Sequence, residues 1–293
     1  MPPTNDTTVT FIGLGVMGYP MAGHLSRTGF ATRIYNRTRA RADAWKAEYA
    51  GEACETPASA ARGADIVFMC VGNDDDVRSV AYGDAGALAG LGKGAVLIDH
   101  TTASAELARE LEAEAKQRGA GFLDAPVSGG QAGAQRGQLT VMVGGDEETF
   151  RNAESVLNTY ARAVRLMGPC GSGQLTKMVN QICIAGVLQG LSEGLHFAER
   201  AGLDVLGVVD VISKGAAQSW QMENRSPTMA QRKFDFGFAV DWMRKDLGMT
   251  LSAARRIGAR LPLTALVDQF YGDIQASGGG RMDTSSLIER LRR

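Results

Sequence analysis

The 293-residue chain predicts an α/β domain followed by an all-helical domain, and two observations lead to this prediction. Short β-rich runs alternate with helical patterns up to position 170, which is typical of a parallel sheet flanked by helices. Beyond the glycine- and proline-rich segment 168–173, the sequence contains no convincing strand. We therefore expect a first domain over 1–170, a second over 171–293, and a long interdomain helix joining them.

The predicted elements follow from apolar runs and helix-capping residues. Strands are expected at 9–12, 31–35, 66–71, 95–99, 121–123, 140–144 and 163–167, with helices at 17–28, 39–49 and 104–117. In the second domain, helices are expected at 174–201, 205–213, 238–257, 262–276 and from 284 to the end. The change from alternating elements to helices alone separates the two domains.

The long interdomain helix is expected to be buried. Beyond position 177 it is apolar almost all round. Gly186, Gly190 and Gly194 recur at every fourth residue, a spacing that lets a second helix approach closely, so we expect close packing in the core. The apolar stripe of this helix consists of Met178, Ile182, Ala185, Leu188, Leu191 and Leu195.

Three glycines follow the first strand at the spacing G-x-G-x-x-G, which indicates a binding site for a dinucleotide pyrophosphate. Gly13 permits the tight turn, Gly15 lets the backbone approach the phosphates, and Gly18 lets the helix lie against its strand. That helix directs its unpaired N–H groups at the anion. The expected phosphate-binding residues are Gly13, Leu14, Gly15, Val16, Met17 and Gly18. The fold class is therefore α/β, with a Rossmann-type dinucleotide-binding domain preceding the helical one.

The residues that follow the second strand favour NADP over NAD as the cofactor. Asn36, Arg37 and Thr38 stand where this motif contacts the ribose. A carboxylate there would repel a 2′-phosphate, whereas the uncharged Asn36 followed by Arg37 removes the repulsion and supplies a cationic donor. The alternative is a solvated basic start of the next helix.

Composition and charge favour a small-molecule partner. With 31 basic and 32 acidic residues, the net charge of −1 argues against binding to nucleic acid or an anionic membrane. The segment 1–8 lacks the features of a signal peptide and no apolar stretch reaches membrane-spanning length, so a cytoplasmic protein is expected. The four cysteines show no C-x-x-C spacing, which argues against disulfides and zinc.

Lys177 is the candidate proton donor and acceptor. A nicotinamide enzyme needs a group that exchanges a proton with the substrate oxygen while hydride moves at carbon. Lys177 lies near the start of the long helix, at the expected domain junction, and Asn180 and Gln181 lie one turn further along. These amides are expected to orient the lysine or the substrate, or else to bond across the junction. The alternative for Lys177 is a solvated surface residue.

The segment 124–130, Asp-Ala-Pro-Val-Ser-Gly-Gly, is expected to form a loop at the sheet edge where ligands collect. The hydroxyl of Ser128 and the backbone N–H groups of Gly129 and Gly130 suit a substrate carboxylate, although a plain turn would explain the glycines equally well. Thr101 and Thr102 follow another strand and are placed for the cofactor. By itself, Lys245-Asp246 indicates only an ion pair.

The sequence resembles the β-hydroxyacid dehydrogenase family over nearly its whole length. This family includes 3-hydroxyisobutyrate dehydrogenases, tartronate semialdehyde reductases and glyoxylate or succinic semialdehyde reductases. Four segments carry the resemblance: GLGVMGYPMA at 13–22, DAPVSGG at 124–130, GSGQLTKMVNQ at 171–181 and KDL at 245–247. Their order along the chain makes the resemblance far more specific than any single motif.

The resemblance implies hydride transfer between NADP(H) and a small hydroxyacid or carboxylate semialdehyde. Lys177 would be the acid/base, Ser128 and Gly130 would hold the carboxylate, and Asn180 or Gln181 would lie beside the reacting carbon. Cofactor contacts would come from Val71, Gly72, Thr102 and Lys245. The resemblance also implies a homodimer or homotetramer. Candidates for lining the substrate pocket, or for ordinary core packing, are Trp220, Met222, Phe234, Phe238 and Trp242, of which we include Phe238 among the substrate-binding residues.

Two departures from the family pattern do not touch the expected chemistry. His24 stands where asparagine is common, and Val71-Gly72 replaces a frequent Leu-Pro pair. Two alternative functions stay open: an imine reductase of related fold, against which the retained Lys177 counts, and a dinucleotide-binding scaffold without turnover. A scaffold has no need of both Lys177 and Ser128.

Overall fold

The computed structural model describes residues 7–292 and divides into two compact units, Met1–Lys177 and Met178–Arg293. The expectation that segment 1–8 lacks signal-peptide features falls mainly on residues 1–6, which lie outside the described residues. Arg293, the end of the last predicted helix, also lies outside them. The division follows Lys177 instead of residue 170. The first turn of the long helix is hydrogen-bonded into the first unit and is counted with it.

The first unit is built on one twisted sheet, with nine strands among the described residues. Eight follow the order β3-β2-β1-β4-β5-β6-β8-β7, and β9 pairs with β8. The strands are β1 Thr8–Ile12, β2 Ala31–Tyr35, β3 Glu52–Ala53, β4 Ile66–Met69, β5 Val96–Asp99, β6 Gly121–Asp124, β7 Val127–Ser128, β8 Leu139–Gly145 and β9 Ala161–Gly168. The helices are α1 Gly18–Arg27, α2 Arg39–Glu48, α3 Pro57–Ala61, α4 Asp74–Ala81, α5 Ala87–Gly90, α6 Ala105–Gln117, α7 Gly130–Gln135 and α8 Glu147–Leu157.

The predicted parallel sheet flanked by helices is confirmed, and it carries one antiparallel strand that the sequence analysis did not distinguish. Strands β3, β2, β1, β4, β5 and β6 are parallel, but β8 runs antiparallel to both β6 and β7. The reason is local, since β6 and β7 follow each other along one edge of β8 and the short helix α7 then turns the chain back. Asp124 faces Gly144 and Ser128 faces Thr140 across this turn.

Both faces of the central strands are buried, which explains their continuous apolar runs. In β4, Ile66 and Phe68 pack into the cluster that also contains Phe11 and Trp45. Val67, one residue along, packs into the other cluster, on the opposite face of the sheet. The sheet is therefore a rigid platform whose carboxyl-terminal edge can hold functional loops in place.

The second unit is helical, with no strand among its described residues. Most of α9, Ser172–Arg200, belongs to it and is followed by α10 Val205–Ile212, α11 Trp220–Ala230, α12 Val240–Ile257 and α13 Pro262–Ala276, then the 3₁₀ turn Thr284–Ser286 and α14 Leu287–Leu291. The sequence analysis predicts no helix over 220–230. That helix contains Pro227, which obscures the pattern, and it is capped by the side chain of Ser219, which accepts a hydrogen bond from the N–H of Met222.

The expectation that α9 is buried all round is wrong for the single chain. The predicted stripe does lie inward, with Ile182 half-buried and its other members buried. On the opposite side, however, Phe197 is 70% exposed, and the space beside Gly190 and Gly194 is open. Only Gly186 has a close neighbour, Leu263. Among the described residues, no helix is long and apolar enough to cross a membrane.

Candidate active site

The glycine turn after β1 has the geometry that a pyrophosphate needs. Gly13 adopts a φ of +98°, and a side chain there would collide with the carbonyl of Cys70. A Cβ on Gly18 would collide with the carbonyl of Gly13, so α1 lies as close to its strand as a backbone can. The space next to Gly15 is open. In the described chain, no side chain caps α1, whose start lies beside this space as an anion site requires. The N–H of Tyr19 is already bonded to the carbonyl of Gly15 at 3.0 Å, and Pro20 has no N–H to offer.

Asn36 stabilises the glycine turn. Its Oδ1 accepts a hydrogen bond from the N–H of Leu14 at 2.9 Å, and its Nδ2 donates to the carbonyl of Thr38 at 3.0 Å. The guanidinium of Arg41 donates to the carbonyl of Leu14 at 3.1 Å. The side chain of Arg37 is 82% exposed and lies 3.3 Å from Asp76. Asn36 therefore shapes the turn, while Arg37 extends into solvent beside it.

Loops from β4 and β5 meet at the carboxyl-terminal edge of the sheet. The N–H of Val71, which precedes Gly72, donates to Oγ1 of Thr101 at 3.0 Å. The N–H of Thr101 donates in turn to Oδ1 of Asp99 at 2.9 Å. The expected cofactor residues Val71, Gly72, Thr101 and Thr102 therefore belong to one hydrogen-bonded edge.

The segment 124–130 is more ordered than the predicted loop. Asp124 ends β6, Ser128 belongs to β7, and α7 begins at Gly130. Gly129 and Gly130 adopt φ values of +132° and +61°, which favour glycine, and both are exposed. This turn sets Ser128 next to two exposed backbone N–H groups. The carboxyl end of α7 is anchored on α1, since Nε2 of His24 donates to the carbonyl of Ala134 at 3.0 Å.

The start of α9 is bound to the ends of β5 and β6. Asp124 is fully buried, and its two oxygens accept hydrogen bonds from the N–H groups of Gly171 at 2.7 Å and Gln174 at 2.8 Å. The side chain of Gln174 accepts from the N–H of Ala103 at 3.0 Å and donates to the carbonyl of Thr101 at 2.7 Å. Lys177 lies about one turn further along α9 and is only 7% exposed.

Burial shifts the pKa values of three groups beneath this edge. Desolvation raises the pKa of Asp99 to about 7 and that of Asp124 to about 6, although backbone N–H donors oppose the shift at Asp124. It lowers the pKa of His100 to about 4. His100 is therefore neutral near pH 7, with Nδ1 donating to the carbonyl of Ala125 at 2.6 Å and Nε2 accepting from the hydroxyl of Tyr160 at 2.8 Å.

In the second unit, Asp246 contacts the side chains of Gln181 and Lys245, and Gln181 in turn contacts Asn180. Its Oδ2 accepts from Nε2 of Gln181 at 2.7 Å, and its Oδ1 lies 3.2 Å from Nζ of Lys245. Oε1 of Gln181 accepts from Nδ2 of Asn180 at 2.7 Å. The predicted ion pair Lys245–Asp246 is confirmed. The sequence pattern did not indicate that Asp246 is also the buried acceptor that orients Gln181.

The five aromatic and methionine candidates divide between core and surface. Met222 and Phe234 are core residues, Trp220 and Trp242 are exposed, and Phe238 is half-buried. The N–H of Phe238 donates to Oδ2 of buried Asp283 at 2.9 Å. The sequence analysis did not select Asp283, because no motif singles it out.

Family models match both parts of the chain. Residues 8–168 match a model described as the NAD binding domain of 6-phosphogluconate dehydrogenase. Residues 171–291 match one described as the NAD-binding domain of NADP-dependent 3-hydroxyisobutyrate dehydrogenase. Together these models account for the cofactor motif and for the helical part that follows it.

Individual relatives cover almost the full length. An uncharacterized oxidoreductase of Shewanella frigidimarina is 62% identical, and the match covers 97% of each chain. The 2-hydroxy-3-oxopropionate reductase of Escherichia coli is 33% identical, with 96% of each chain covered. A solved 3-hydroxyisobutyrate dehydrogenase of Mycobacterium tuberculosis, crystallised with L-serine, has a TM-score of 0.88 at 32% identity and covers 98% of this chain and all of its own.

The chain belongs to the β-hydroxyacid dehydrogenase family, as its motifs predict. It is an NAD(P)-dependent oxidoreductase of the hydroxyacid dehydrogenase type, with a Rossmann-type domain followed by a helical one.

Proposed function

We propose that the chain is an NADPH-dependent reductase of small aldehydes that carry a carboxylate, such as glyoxylate, succinic semialdehyde, tartronate semialdehyde or methylmalonate semialdehyde, and that it also catalyses the reverse oxidation. The main support is Lys177, a buried ammonium group on a helix whose first turn is bonded to the end of the strand leading to Ser128. A buried lysine is uncommon in proteins unless a partner or a function maintains it.

The proposed chemistry divides between residues that hold the substrate and one that moves a proton. The hydroxyl of Ser128 and the N–H groups of Gly129 and Gly130 hold the carboxylate. Lys177 donates a proton to the oxygen on which negative charge develops, and accepts it back in the oxidation. When bound, the nicotinamide supplies or accepts the hydride. Gln181, oriented by Asp246, keeps Asn180 in position as a further substrate contact.

Replacing Lys177 tests the proposal. We expect Lys177→Ala to reduce kcat for aldehyde reduction by about 10²- to 10⁴-fold, the usual contribution of a general acid, with NADPH binding retained. The measurement is the loss of NADPH absorbance with the four aldehydes, together with a binding titration. Lys116→Ala, on the exposed side of α6, is the matched control. Undiminished turnover in Lys177→Ala would remove this residue from the mechanism, and an inactive wild-type chain would reject the proposed function.

Arg37 supports NADP(H) as the preferred cofactor. It is exposed beside the glycine turn, and the residue before it carries no charge that would repel a 2′-phosphate. We expect Arg37→Ala to weaken NADPH binding by about 10- to 100-fold, the cost of losing a hydrogen bond between charged groups, and NADH binding far less. Arg39→Ala is the control, since Arg39 is equally basic but pairs with Asp43 and Glu55. Equal losses for both cofactors would contradict the preference.

We also propose a homodimer or homotetramer. Exposed apolar side chains on α9 and α10 support this, because large apolar residues in a contiguous exposed patch mark association surfaces. Helix α10 has the sequence VLGVVDVI, and none of its residues is buried in the single chain.

A further inference from the structure

We propose that Asp124 and Gln174 are positioning residues that clamp the first turn of α9, and with it Lys177, onto the ends of β6 and β5. This inference rests on the role proposed above for Lys177. Each of the two side chains makes two hydrogen bonds to main-chain groups, and Asp124 also accepts one from the thiol of Cys170.

Asp124 caps a helix from a distant position in the sequence. The first N–H groups of any helix lack intrahelical partners, and a nearby Ser, Thr or Asp usually accepts from them. Here the acceptor lies 47 residues before Gly171 and 50 before Gln174. The position just before α9 is Gly171, which has no side chain to cap the helix, so the remote carboxylate takes this role and also fixes where the helix begins relative to β6.

The protein leaves only enough space for this carboxylate. A Cβ on Gly144, which faces Asp124 across the sheet, would collide with Oδ1 of Asp124. A Cβ on Gly173 would lie 2.5 Å from the main-chain oxygens of Asp124 and Met142 and 2.8 Å from Oδ2 of Asp124. Neither glycine has a positive φ that would require it for backbone reasons, so both are explained by close packing of Asp124 and the neighbouring main chain.

Gln174 provides the second attachment. Its amide bonds the main chain at Thr101 and Ala103, in the loop that also carries Thr102. The helix start is thereby held at two points, one on the strand leading to Ser128 and one on the loop expected to contact the cofactor. Lys177 follows three residues later, about 4.5 Å along the helix axis, so its main chain lies close to both attachments.

The charge of Asp124 opposes folding near pH 7. Because burial raises the pKa of Asp124 to about 6, its ionised form near pH 7 is less favourable in the folded than in the unfolded chain. The backbone N–H groups of Gly171 and Gln174 act in the opposite direction, since they favour the ionised form.

Asp124→Asn is the central test. It preserves size but replaces one acceptor oxygen by an NH₂ group that faces a backbone N–H. We expect kcat to fall by about 10- to 100-fold, as misplacement of a catalytic group does, while the Kd for NADPH stays near wild type. The melting temperature should fall as well, because a buried N–H loses its acceptor. Asp124→Ala, which loses both acceptors, should lower kcat further. Wild-type kcat in both variants, or a parallel loss of NADPH binding, would overturn the proposal.

Two glycine variants form a matched pair. Gly144→Ala crowds the carboxylate and should reproduce the loss in kcat, whereas Gly92→Ala enters open space and should not. A double-mutant cycle then tests the route of the effect. If Asp124 acts through Lys177, Asp124→Asn should cause no further loss in the Lys177→Ala background. Additive losses would overturn the inference.

Amide hydrogen exchange separates this inference from the proposed function. The N–H groups of Gly171 and Gln174 should exchange slowly in the wild-type chain and markedly faster in Asp124→Ala, with Gly92→Ala unchanged. This readout needs no turnover. If the wild-type chain reduces none of the aldehydes, the proposed function is wrong, but the exchange rates of these two N–H groups still test the clamp. If the two N–H groups exchange equally slowly in Asp124→Ala and in the wild-type chain, the clamp is rejected even in an active enzyme.

Discussion

At the scale of single residues, three polar side chains are buried at the carboxyl-terminal edge of the sheet. Asp99, Asp124 and His100 are all buried within a few residues of the strand ends. Each is hydrogen-bonded to main-chain groups of the loops that it supports, such as the N–H of Thr101 and the carbonyl of Ala125. These side chains therefore set the shape of the loops, in addition to filling space.

Asp99 makes the free energy of unfolding depend on pH. Its folded pKa of about 7 lies above its ordinary value of 3.8, so the folded chain binds more protons between these values and its stability falls as pH rises from about 4 through about 7. Asp99→Asn removes this titration and retains an acceptor oxygen for Thr101. We expect the melting temperature of the variant to exceed that of the wild type increasingly over this range.

Melting curves of the two proteins from pH 4 to pH 8 provide the measurement. Near pH 4 the two melting temperatures should differ least, because Asp99 is then protonated in the folded chain and still partly protonated in the unfolded chain, so its titration has cost little stability. The contributions of Asp124 and His100 are common to both proteins and cancel in the difference. A difference that does not change with pH would contradict the raised pKa.

At the scale of elements, α9 and α10 leave apolar surface uncovered in the single chain. Phe197 is 70% and Val211 72% exposed, and the space beside Gly190 and Gly194 is open. The predicted close approach of another helix to these glycines is absent from the described chain. A neighbouring copy would supply it.

The expected oligomer can be measured by light scattering after size exclusion. We expect a mass of two or four times the 31.0 kDa of one chain. Replacing Phe197 and Val211 by Glu should shift the mass toward that of one chain, because burying an unpaired charge is costly. Ile257→Glu is the control, since Ile257 is 73% exposed but lies at the end of α12. A wild-type chain that runs at 31.0 kDa would contradict the oligomer.

The elements also differ in how well the sequence predicts them. The strand 31–35 and the helix 262–276 have the predicted bounds. In both elements, residues of the element itself indicate where it lies, because the strand is recognised from its apolar pattern and the helix begins at a proline. Helix α11 is not marked in this way, because Pro227 interrupts its pattern. The sequence of β8 has the same apolar pattern as the parallel strands, because this pattern does not indicate in which direction a strand runs relative to its neighbours.

At the scale of the whole molecule, the sequence predicts the fold class, the family and the order of the two parts. The glycine spacing and the four motifs suffice for this, because they are short segments whose residues act together locally. The division at Lys177 was not predictable to the residue. The first turn of α9 lies with the first unit, where Asp124 bonds residues 47 and 50 positions away, and no local pattern contains such contacts.

The amino-acid order alone determined where a phosphate turn forms, because glycine's missing Cβ is a property of single residues. It also selected the lysine, the serine and the arginine that we propose to act. Only the tertiary structure decided which polar groups hold those residues in place: Asp124 and Gln174 beneath α9, and Asp246 beside Gln181. The reason is physical, since a buried polar side chain is stable only with partners, and those partners come from distant parts of the chain that folding brings together.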